Sequence, residues 1–432
     1  MSRTLESETV HVELGSPAPA GSPFGRMLDV VIAGALLLLF APIGLLLGLA
    51  ALCGAVRFEA KPRIGRAGNS FRQLSVSGHG RVGRVVRRLR LDGWPVLWNV
   101  LAGEMALVGP RALSPGDPLW DEPGSAERLS VRPGLVSPWW LRRRANIDYQ
   151  SEIEADIEYV ATRSLKRDLG ILARVPPALL MSPPPAATPR EARLMGFRID
   201  NLSMDEAVQE IVRRADAEKP SQVCFINADC VNIACRDPQY RRVLQDAPLA
   251  LADGIGMRLA ARLHGGAIRQ NLNGTDLFPQ LCAAVAGTGR GIFLLGARPG
   301  VAEAVRDWVD RNIPGVDIRG CRDGYFSADE EPAVLAEIAA SGAAILLVAF
   351  GAPRQDVWIS RHLHESGVKV ALGVGGLFDY YSGRIPRAPQ WVRELCLEWL
   401  YRVYQEPRRL WKRYFLGNGL FLWRVAKARL FG

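Results

Sequence analysis

The sequence predicts an α/β protein with a mostly parallel sheet in its C-terminal half and a small, mainly helical, membrane-inserted N-terminal half. After residue 192, apolar runs that end in Gly, Asp or Asn alternate with amphipathic helical patterns. That alternation is typical of a parallel sheet covered by helices on both faces. Near the N-terminus, residues 30–56 are 27 residues without a charge, enough to cross a bilayer at ~1.5 Å per residue.

Composition limits the classes of partner. The 432 residues carry a net charge of +10, which favours a polyanionic ligand or surface. No zinc finger or RNP motif is present, so we expect no nucleic acid and favour membrane lipids, since the basic residues lie beside apolar runs. The seven cysteines form no CxxC pair, which indicates reduced thiols and a cytosolic face. His362 and His364 would point to different faces of a helix, so we expect no metal site.

Five segments are predicted along the chain. Residues 1–22 are polar and expected to be disordered, and residues 23–181 form the membrane-inserted domain. A Pro-rich linker covers residues 182–192. Residues 193–395 form the sheet-containing domain, which we expect to be Rossmann-like, and residues 396–432 form a basic appendage.

The apolar segment has two interpretations. Pro42 lies near its middle, where proline removes a helix hydrogen bond and favours a kink. The segment is therefore either a spanning helix or a re-entrant helix–break–helix. The arginines of residues 81–90 alternate with Val and Leu, which favours a basic amphipathic helix at a headgroup surface over an ordinary solvated face.

The predicted strands place polar residues at one edge of the sheet. The apolar runs cover residues 223–227, 249–253, 291–296, 343–351 and 368–376. Ligands bind beyond the carboxyl ends of parallel strands. Asp253 ends the second run and precedes Gly254, so it is a candidate general base toward an acceptor hydroxyl; the alternative is a turn aspartate that caps the next helix.

Further candidates for substrate binding follow the same strand ends. Gly296 and Arg298 precede a helix whose N-terminus favours a diphosphate. The remaining polar or glycine positions predicted to line the site are Asn273, Gly274, Thr275, Asp276, Gln355, Gly375, Asp379 and Arg387.

The appendage is basic and aromatic. From residue 393 onward there are nine Lys or Arg, three Glu and eight interleaved aromatic residues between Trp399 and Trp423. This composition favours an interfacial helix that orders at the membrane and closes the site. The alternative is a packed terminal helix with a solvated basic face.

Seven motifs in order make residues 195–415 resemble the WecG/TagA/CpsF family, glycosyltransferase family 26. They are NAD (227–229), ADGIG (252–256), NGTDL (273–277), GAPRQDVW (351–358), GVGGLFD (373–379), RAP (387–389) and LEWLYR with the following EP, R and RY. The resemblance implies a metal-independent, inverting transfer from a UDP-sugar to a lipid-diphosphate-linked sugar, without a cofactor. It implies that Asp253 is the general base and that Asn227 and Gln355 line the pocket. The tail cations that would meet the lipid diphosphate are Arg402, Arg409 and either Lys412 or Arg413.

Residues 24–181 resemble the bacterial sugar transferases, the monotopic phosphoglycosyl transferases. The shared motifs are FGRMLDVVIA, KPRIG (61–65), LDGWPVLWNVLAGEMALVGPR (91–111), VRPG (131–134) and residues 156–176. The resemblance implies a re-entrant helix and sugar-phosphate transfer to polyprenol phosphate through an aspartyl intermediate. Asp92 occupies the nucleophile position, but Gly93 replaces the glutamate that would help hold Mg²⁺. We therefore expect an impaired domain that serves as anchor or platform, with Mg²⁺ needed only if it is active.

These observations together predict a membrane-associated, UDP-sugar-dependent glycosyltransferase acting on an undecaprenyl-diphosphate-linked sugar in exopolysaccharide or cell-surface glycan synthesis. We expect it at the inner membrane with its catalytic domains facing the cytoplasm. A bifunctional enzyme and a non-enzymatic scaffold for polysaccharide assembly proteins remain alternatives, and a homo-oligomer remains open.

Overall fold

The computed structural model describes residues 23–431, apart from 89–90, 148, 150, 180 and 182–187. The chain divides into two units, residues 1–182 and 183–432, called unit 1 and unit 2 below. The predicted disordered segment 1–22 and most of the predicted linker lie outside the described residues.

Unit 1 contains helices and two small sheets. Its helices are α1 (Pro23–Leu39), α2 (Ala41–Leu52), α3 (Gly80–Arg88), α4 (Val96–Ala102), α5 (Ser125–Leu129), α6 (Pro138–Ala145), α7 (Glu152–Ala161) and α8 (Leu165–Leu179). Its strands are β1 (Val56–Ile64), β2 (Ser70–Gly78), β3 (Ala106–Val108) and β4 (Gly134–Val136). The antiparallel β1–β2 hairpin is missing from our sequence prediction, although Val56–Ile64 alternates apolar and charged residues, which is the pattern of a half-buried strand.

The apolar segment is a bent pair of helices. Within the described residues no single helix is long and apolar enough to cross a bilayer, but α1 and α2 satisfy length and composition together, with a bend of 62°. Ala33 of α1 is fully buried in the core of unit 1, whereas Leu38 and Leu52 are 78% and 85% exposed. One face of the pair therefore packs on protein, and an apolar face is left without a covering.

Unit 2 begins with a short hairpin and continues as alternating strands and helices. Its strands are β5 (Glu191–Leu194), β6 (Phe197–Asp200), β7 (Ser221–Ile226), β8 (Leu249–Ala252), β9 (Ile292–Gly296), β10 (Ile318–Arg322), β11 (Ile345–Ala349) and β12 (Val370–Gly373). Its first helices are α9 (Met204–Ala215), α10 (Ala228–Ala234), α11 (Pro238–Asp246), α12 (Ile255–Leu263), α13 (Gly274–Val285), α14 (Val301–Asn312), α15 (Glu331–Ser341) and α16 (Arg354–His362). The C-terminal helices are α17 (Leu377–Tyr381), α18 (Gln390–Glu394), α19 (Glu398–Gln405), α20 (Pro407–Trp411) and α21 (Gly417–Phe431), with a π-helical turn (Lys412–Leu416) before α21.

Six strands form the parallel sheet, in the order β10-β9-β11-β12-β7-β8, and every pairing in it is parallel. The predicted α/β class and parallel sheet are confirmed. Of these six strands, the one that our sequence analysis missed is β10, an edge strand whose residues Ile318–Arg322 are only partly buried and lack an apolar run. Because all six strands run the same way, their carboxyl ends share one edge of the sheet.

One domain boundary and the packing of the terminal helix differ from the sequence-based expectation. Residues 191 and 192, assigned to the linker, lie in β5, where they pair with β6. The terminal helix α21 packs into unit 2, because Phe421 and Val425 are buried in the same cluster as Cys230 and Met257. The alternative of a packed terminal helix therefore holds for the face of α21 that carries Phe421 and Val425. Trp423, on the same helix, is 58% exposed.

Candidate active site

The site is built first from the ends of two neighbouring strands. β7 ends before Asn227, and β8 ends before Asp253. The Asn227 side-chain oxygen accepts the backbone N–H groups of Asp229 and Cys230, so it caps α10. Its amide nitrogen then points to Asp253, at 3.3 Å from Oδ2. Capping fixes the Asn227 rotamer and thereby fixes a donor on the carboxylate.

Asp253 follows β8 and is partly accessible to solvent. Burial raises the pKa of Asp253 above its ordinary value of 3.8. The Asn227 hydrogen bond and the nearby guanidinium groups of Arg402 and Arg413 act in the opposite direction, while Glu398 adds to the rise. A carboxylate with a raised pKa is a stronger base, which suits proton removal from a hydroxyl group.

The backbone after Asp253 turns sharply. Gly254 has φ of 85°, a left-handed conformation that favours glycine. Its N–H donates to Asn271 Oδ1 at 2.5 Å, and Leu272 N–H donates to Ala252 O at 2.9 Å. Asn271 therefore ties the turn to the following segment, although our sequence analysis did not select it.

A second cluster lies at the start of α13. Asn273 caps this helix through Asp276 N–H at 2.8 Å and donates to Asp276 Oδ2 at 2.7 Å. Asp276 Oδ1 accepts from Arg387 at 2.5 Å, and Arg393 approaches the same oxygen at 3.4 Å. Three predicted residues thus meet, and Arg393 joins them. The pairing neutralises Asp276, so its most direct role is to hold the RAP segment (387–389) against α13.

Gln355 holds two glycine loops together. It is buried at 6% exposure, and its Oε1 accepts the N–H groups of Gly351 at 3.0 Å and Gly375 at 2.9 Å. These glycines follow β11 and β12 and have φ of 81° and 57°. The side-chain oxygen of Gln355 therefore shapes the middle of the sheet edge by fixing these two loops.

The next residue, Asp356, was not selected from the sequence. It is 3% exposed and accepts a hydrogen bond from Tyr240 Oη at 3.0 Å. Burial raises the pKa of Asp356 to about 7, with Tyr240 and Cys224 opposing the rise. The signal that could have found it is an acid in the middle of the GAPRQDVW motif, but its partner is 116 residues away.

The C-terminal segment supplies cations to this site. The guanidinium carbon of Arg402 lies 4.9 Å from the centroid of the Tyr380 ring, and its Nε is buried without a hydrogen-bond partner among the described residues. Arg413 Nε lies 2.9 Å from Asp229 Oδ2. Both cations act on Asp253, so the structure brings residues from β8 and the tail into one electrostatic site.

Other predicted binding residues have partners elsewhere or lie on the surface. Asp379 pairs with Arg384 at 2.8 Å, and Arg409 pairs with Glu406 at 2.8 Å. Lys412 lies 5.7 Å from the Trp411 ring centroid. Arg298 is exposed on the loop between Gly296 and α14. Thr275 is buried at 6% exposure, and its carbonyl accepts from Tyr381 Oη, which makes it a structural contact in α13.

Asp92 in unit 1 is exposed in a short 3₁₀ turn, Leu91–Gly93. A Cβ atom added to Gly93 would meet nothing within 4 Å, so the position of the missing carboxylate is open. Within the described part of the chain no three His, Cys, Asp or Glu residues are grouped to hold a metal ion. Asp92 is thus the carboxylate at this position, and Gly93 supplies no second one for Mg²⁺.

Two family models match the chain. Residues 192–432 match the glycosyl transferase WecG/TagA/CpsF family, and residues 21–182 match the bacterial sugar transferase family. Two curated relatives are described as N-acetylglucosaminyldiphosphoundecaprenol N-acetyl-beta-D-mannosaminyltransferases. The one from Bacillus spizizenii is 34% identical over 198 residues, covering 46% of this chain and 76% of the relative. The one from Bacillus subtilis is 34% identical over 191 residues, covering 44% and 73%.

The fold and these matches define the chain as a glycosyltransferase. It belongs to the WecG/TagA/CpsF family, whose match covers more than half of its length, and its first 182 residues include a bacterial sugar transferase region. Both family assignments made from the sequence motifs are confirmed.

Proposed function

We propose that this protein transfers a sugar from a UDP-sugar to a sugar carried on polyprenyl diphosphate, with Asp253 as general base. The two relatives are named for transfer to N-acetylglucosaminyldiphosphoundecaprenol, which supports an acceptor of this chemical class. The donor is proposed as a UDP-sugar from the resemblance stated above, and UDP-N-acetylmannosamine is the natural first probe.

One observation carries the proposal. Asp253 stands at the carboxyl edge of the sheet, held by Asn227, with Arg402 and Arg413 close enough to act on its charge. A base beside two guanidinium groups matches a reaction in which a hydroxyl group loses a proton while a diphosphate accumulates negative charge.

The chemistry balances without a metal step. Asp253 takes the proton of the acceptor hydroxyl, whose oxygen forms a bond to the anomeric carbon of the donor. The bond from that carbon to the β-phosphate oxygen breaks, and UDP leaves with the electron pair. Attack from the face opposite UDP inverts the anomeric configuration. Arg402 and Arg413 are placed to stabilise phosphate oxygens, of the leaving UDP or of the acceptor diphosphate.

The test compares Asp253→Asn with Asp246→Asn, an exposed aspartate at the end of α11. Purified full-length protein in detergent is given UDP-N-acetylmannosamine and a synthetic polyprenyl-diphospho-N-acetylglucosamine. We expect transfer to fall by about 10²- to 10⁴-fold in Asp253→Asn, the usual contribution of a general base, and to be unchanged in Asp246→Asn. Donor binding is measured separately by calorimetry. If Asp253→Asn turned over as fast as the wild type, Asp253 would not be the general base.

We also propose that unit 1 places the enzyme at the membrane by a re-entrant insertion of α1 and α2. The supporting observations are the 62° bend, the exposed apolar side chains at Leu45, Leu46 and Leu49, and the bacterial sugar transferase match. An uncovered apolar face of this kind marks an interaction surface. Accessibility labelling of single cysteines at residues 24 and 52 in sealed vesicles tests it: labelling from the same side supports re-entry, and from opposite sides supports spanning.

A further inference from the structure

The short helix α10 and its capping residue contact the proposed base and the C-terminal segment at three positions. Its capping residue Asn227 donates to Asp253, Asp229 pairs with Arg413, and Asn232 contacts residues of α21. The seven-residue helix α10 therefore connects the proposed base with the C-terminal segment.

The contacts of Asn232 use both ends of its side-chain amide. Nδ2 donates to Gly417 O at 2.7 Å, and Oδ1 accepts from Arg424 Nη1 at 2.7 Å. Asn232 is 2% exposed, so these hydrogen bonds replace contacts with water. A buried amide that lost these partners would be left unsatisfied, which is costly. Asn232 therefore fixes the position of α21 along α10.

Apolar packing supports the same docking. Phe421 and Val425 of α21 are 1% and 0% exposed, in a cluster with residues of α10 and α12. A Cβ atom on Gly256 would lie 3.5 Å from the Phe421 ring. Gly256 is in α12, immediately after the Asp253 turn, so the terminal helix packs against the element that follows the proposed base.

Arg413 precedes this docked helix. It lies in the π-helical turn Lys412–Leu416, which ends where Gly417 accepts from Asn232. Such turns often occur at functional sites. Arg413 Nε lies 2.9 Å from Asp229 Oδ2, so Asp229 orients the Arg413 guanidinium before any phosphate is bound.

We propose that Asn232 and Asp229 form a seat on α10 for residues 412–431, and that seating of this segment holds Arg413 at Asp229, two residues after the Asn227 that donates to Asp253. Asn232 is thereby a positioning residue for the transfer reaction. The inference rests on the proposed function only for its kinetic consequence; the docking itself is independent of the reaction.

The charged groups that face Asp253 make the consequence measurable. They are Arg402 and Glu398 from α19, and Arg413 from the π-helical turn. Unseating the tail would withdraw Arg413, and the loss of a nearby positive charge disfavours the carboxylate. The acid limb of the rate profile would then move to higher pH.

The experiment compares Asn232→Ala with Asn312→Ala in the full-length protein. Asn312 also donates to a backbone carbonyl, that of Trp308, but it is exposed on α14. Hydrogen–deuterium exchange of residues 412–431 is measured first, without substrate. We expect exchange about tenfold faster in Asn232→Ala, in line with the loss of buried hydrogen bonds, and no change in Asn312→Ala.

Transfer is then measured with UDP-N-acetylmannosamine and polyprenyl-diphospho-N-acetylglucosamine. For Asn232→Ala we expect kcat to fall about tenfold and the acid limb of the rate profile to move to higher pH. Arg424→Ala removes the other partner of the same contact and should also weaken docking. In the double variant, the loss of kcat should be smaller than the two single losses combined. Unchanged exchange in 412–431 overturns the seat. Faster exchange with wild-type turnover and pH profile overturns the link to Asp253. Inactive wild-type protein counts against the proposed function, while the exchange result still decides the seat.

Discussion

Asn227 caps α10 with its side-chain oxygen and holds Asp253 with its side-chain nitrogen, at 3.3 Å. The same amide thus caps the N-terminus of α10 and donates to the carboxylate that follows β8. Because a hydrogen bond to a carboxylate stabilises its charged form, Asn227 offsets part of the rise that burial imposes on the pKa of Asp253.

Asn227→Ala should move the acid limb of kcat/KM to higher pH. Removing the donor leaves Asp253 protonated at a higher pH, and a protonated carboxyl cannot accept the hydroxyl proton. The control is Asn273→Ala, which removes an asparagine cap from α13 without touching Asp253. Rate profiles from pH 4 to 9 check this, and equal shifts in both variants would mean that lost capping, rather than the lost donor, moves the limb.

Asp276→Ala should destabilise unit 2 by about 3 kcal/mol, because it leaves the poorly solvated Arg387 guanidinium with only the more distant carboxylate of Glu398, at 3.9 Å. The Asp276 side chain is 8% exposed and that of Arg387 is 25% exposed. Asp379→Ala, which breaks the more exposed pair with Arg384, should cost less than about 1 kcal/mol. Urea denaturation measures both, and similar costs would contradict the structural role of Asp276.

Asp356 should make unit 2 less stable as pH rises from about 4 to 7. Its pKa is about 7 in the folded protein, against about 3.9 for an unfolded chain. In this window the folded state binds more protons, so its stability declines by at most about 1.4 kcal/mol per pH unit. The decline of stability with pH should be smaller in Asp356→Asn and should be unchanged in Asp246→Asn. Calorimetric melting temperatures at pH 5 and 8 measure this effect. If the melting temperature of Asp356→Asn falls with pH as steeply as that of the wild type, Asp356 does not cause the decline.

Gly93→Glu should fold as the wild type does, within about 0.5 kcal/mol, because the added side chain enters open space. We expect wild-type protein to form no lipid-diphosphate sugar from radiolabelled UDP-sugars and polyprenol phosphate. The restored carboxylate beside Asp92 should give measurable product, lost again in the Asp92→Asn double variant. Asp92-dependent product from the wild type would instead support the bifunctional alternative.

The parallel sheet and its ligand-binding edge were predictable because each core strand is an apolar run ending in a turn residue. β10 was not, since Ile318–Arg322 is an edge strand with polar residues. Asp253 could be selected as a candidate from its position after a strand. The pairings Asp276–Arg387, Tyr240–Asp356 and Asn232–Arg424 join residues 111, 116 and 192 positions apart. One sequence carries no distance information on such pairs, so their roles required the structure.

The burial of Phe421 and Val425 has a consequence for the order of events during synthesis. Domains generally fold as units, the N-terminal one first, as the chain emerges from the ribosome. Unit 1 is complete by residue 182, whereas the site in unit 2 lacks its guanidinium groups and the packing of α21 until residues through Val425 have been made. The nascent protein can therefore reach its proposed membrane location before it is able to consume a nucleotide-sugar.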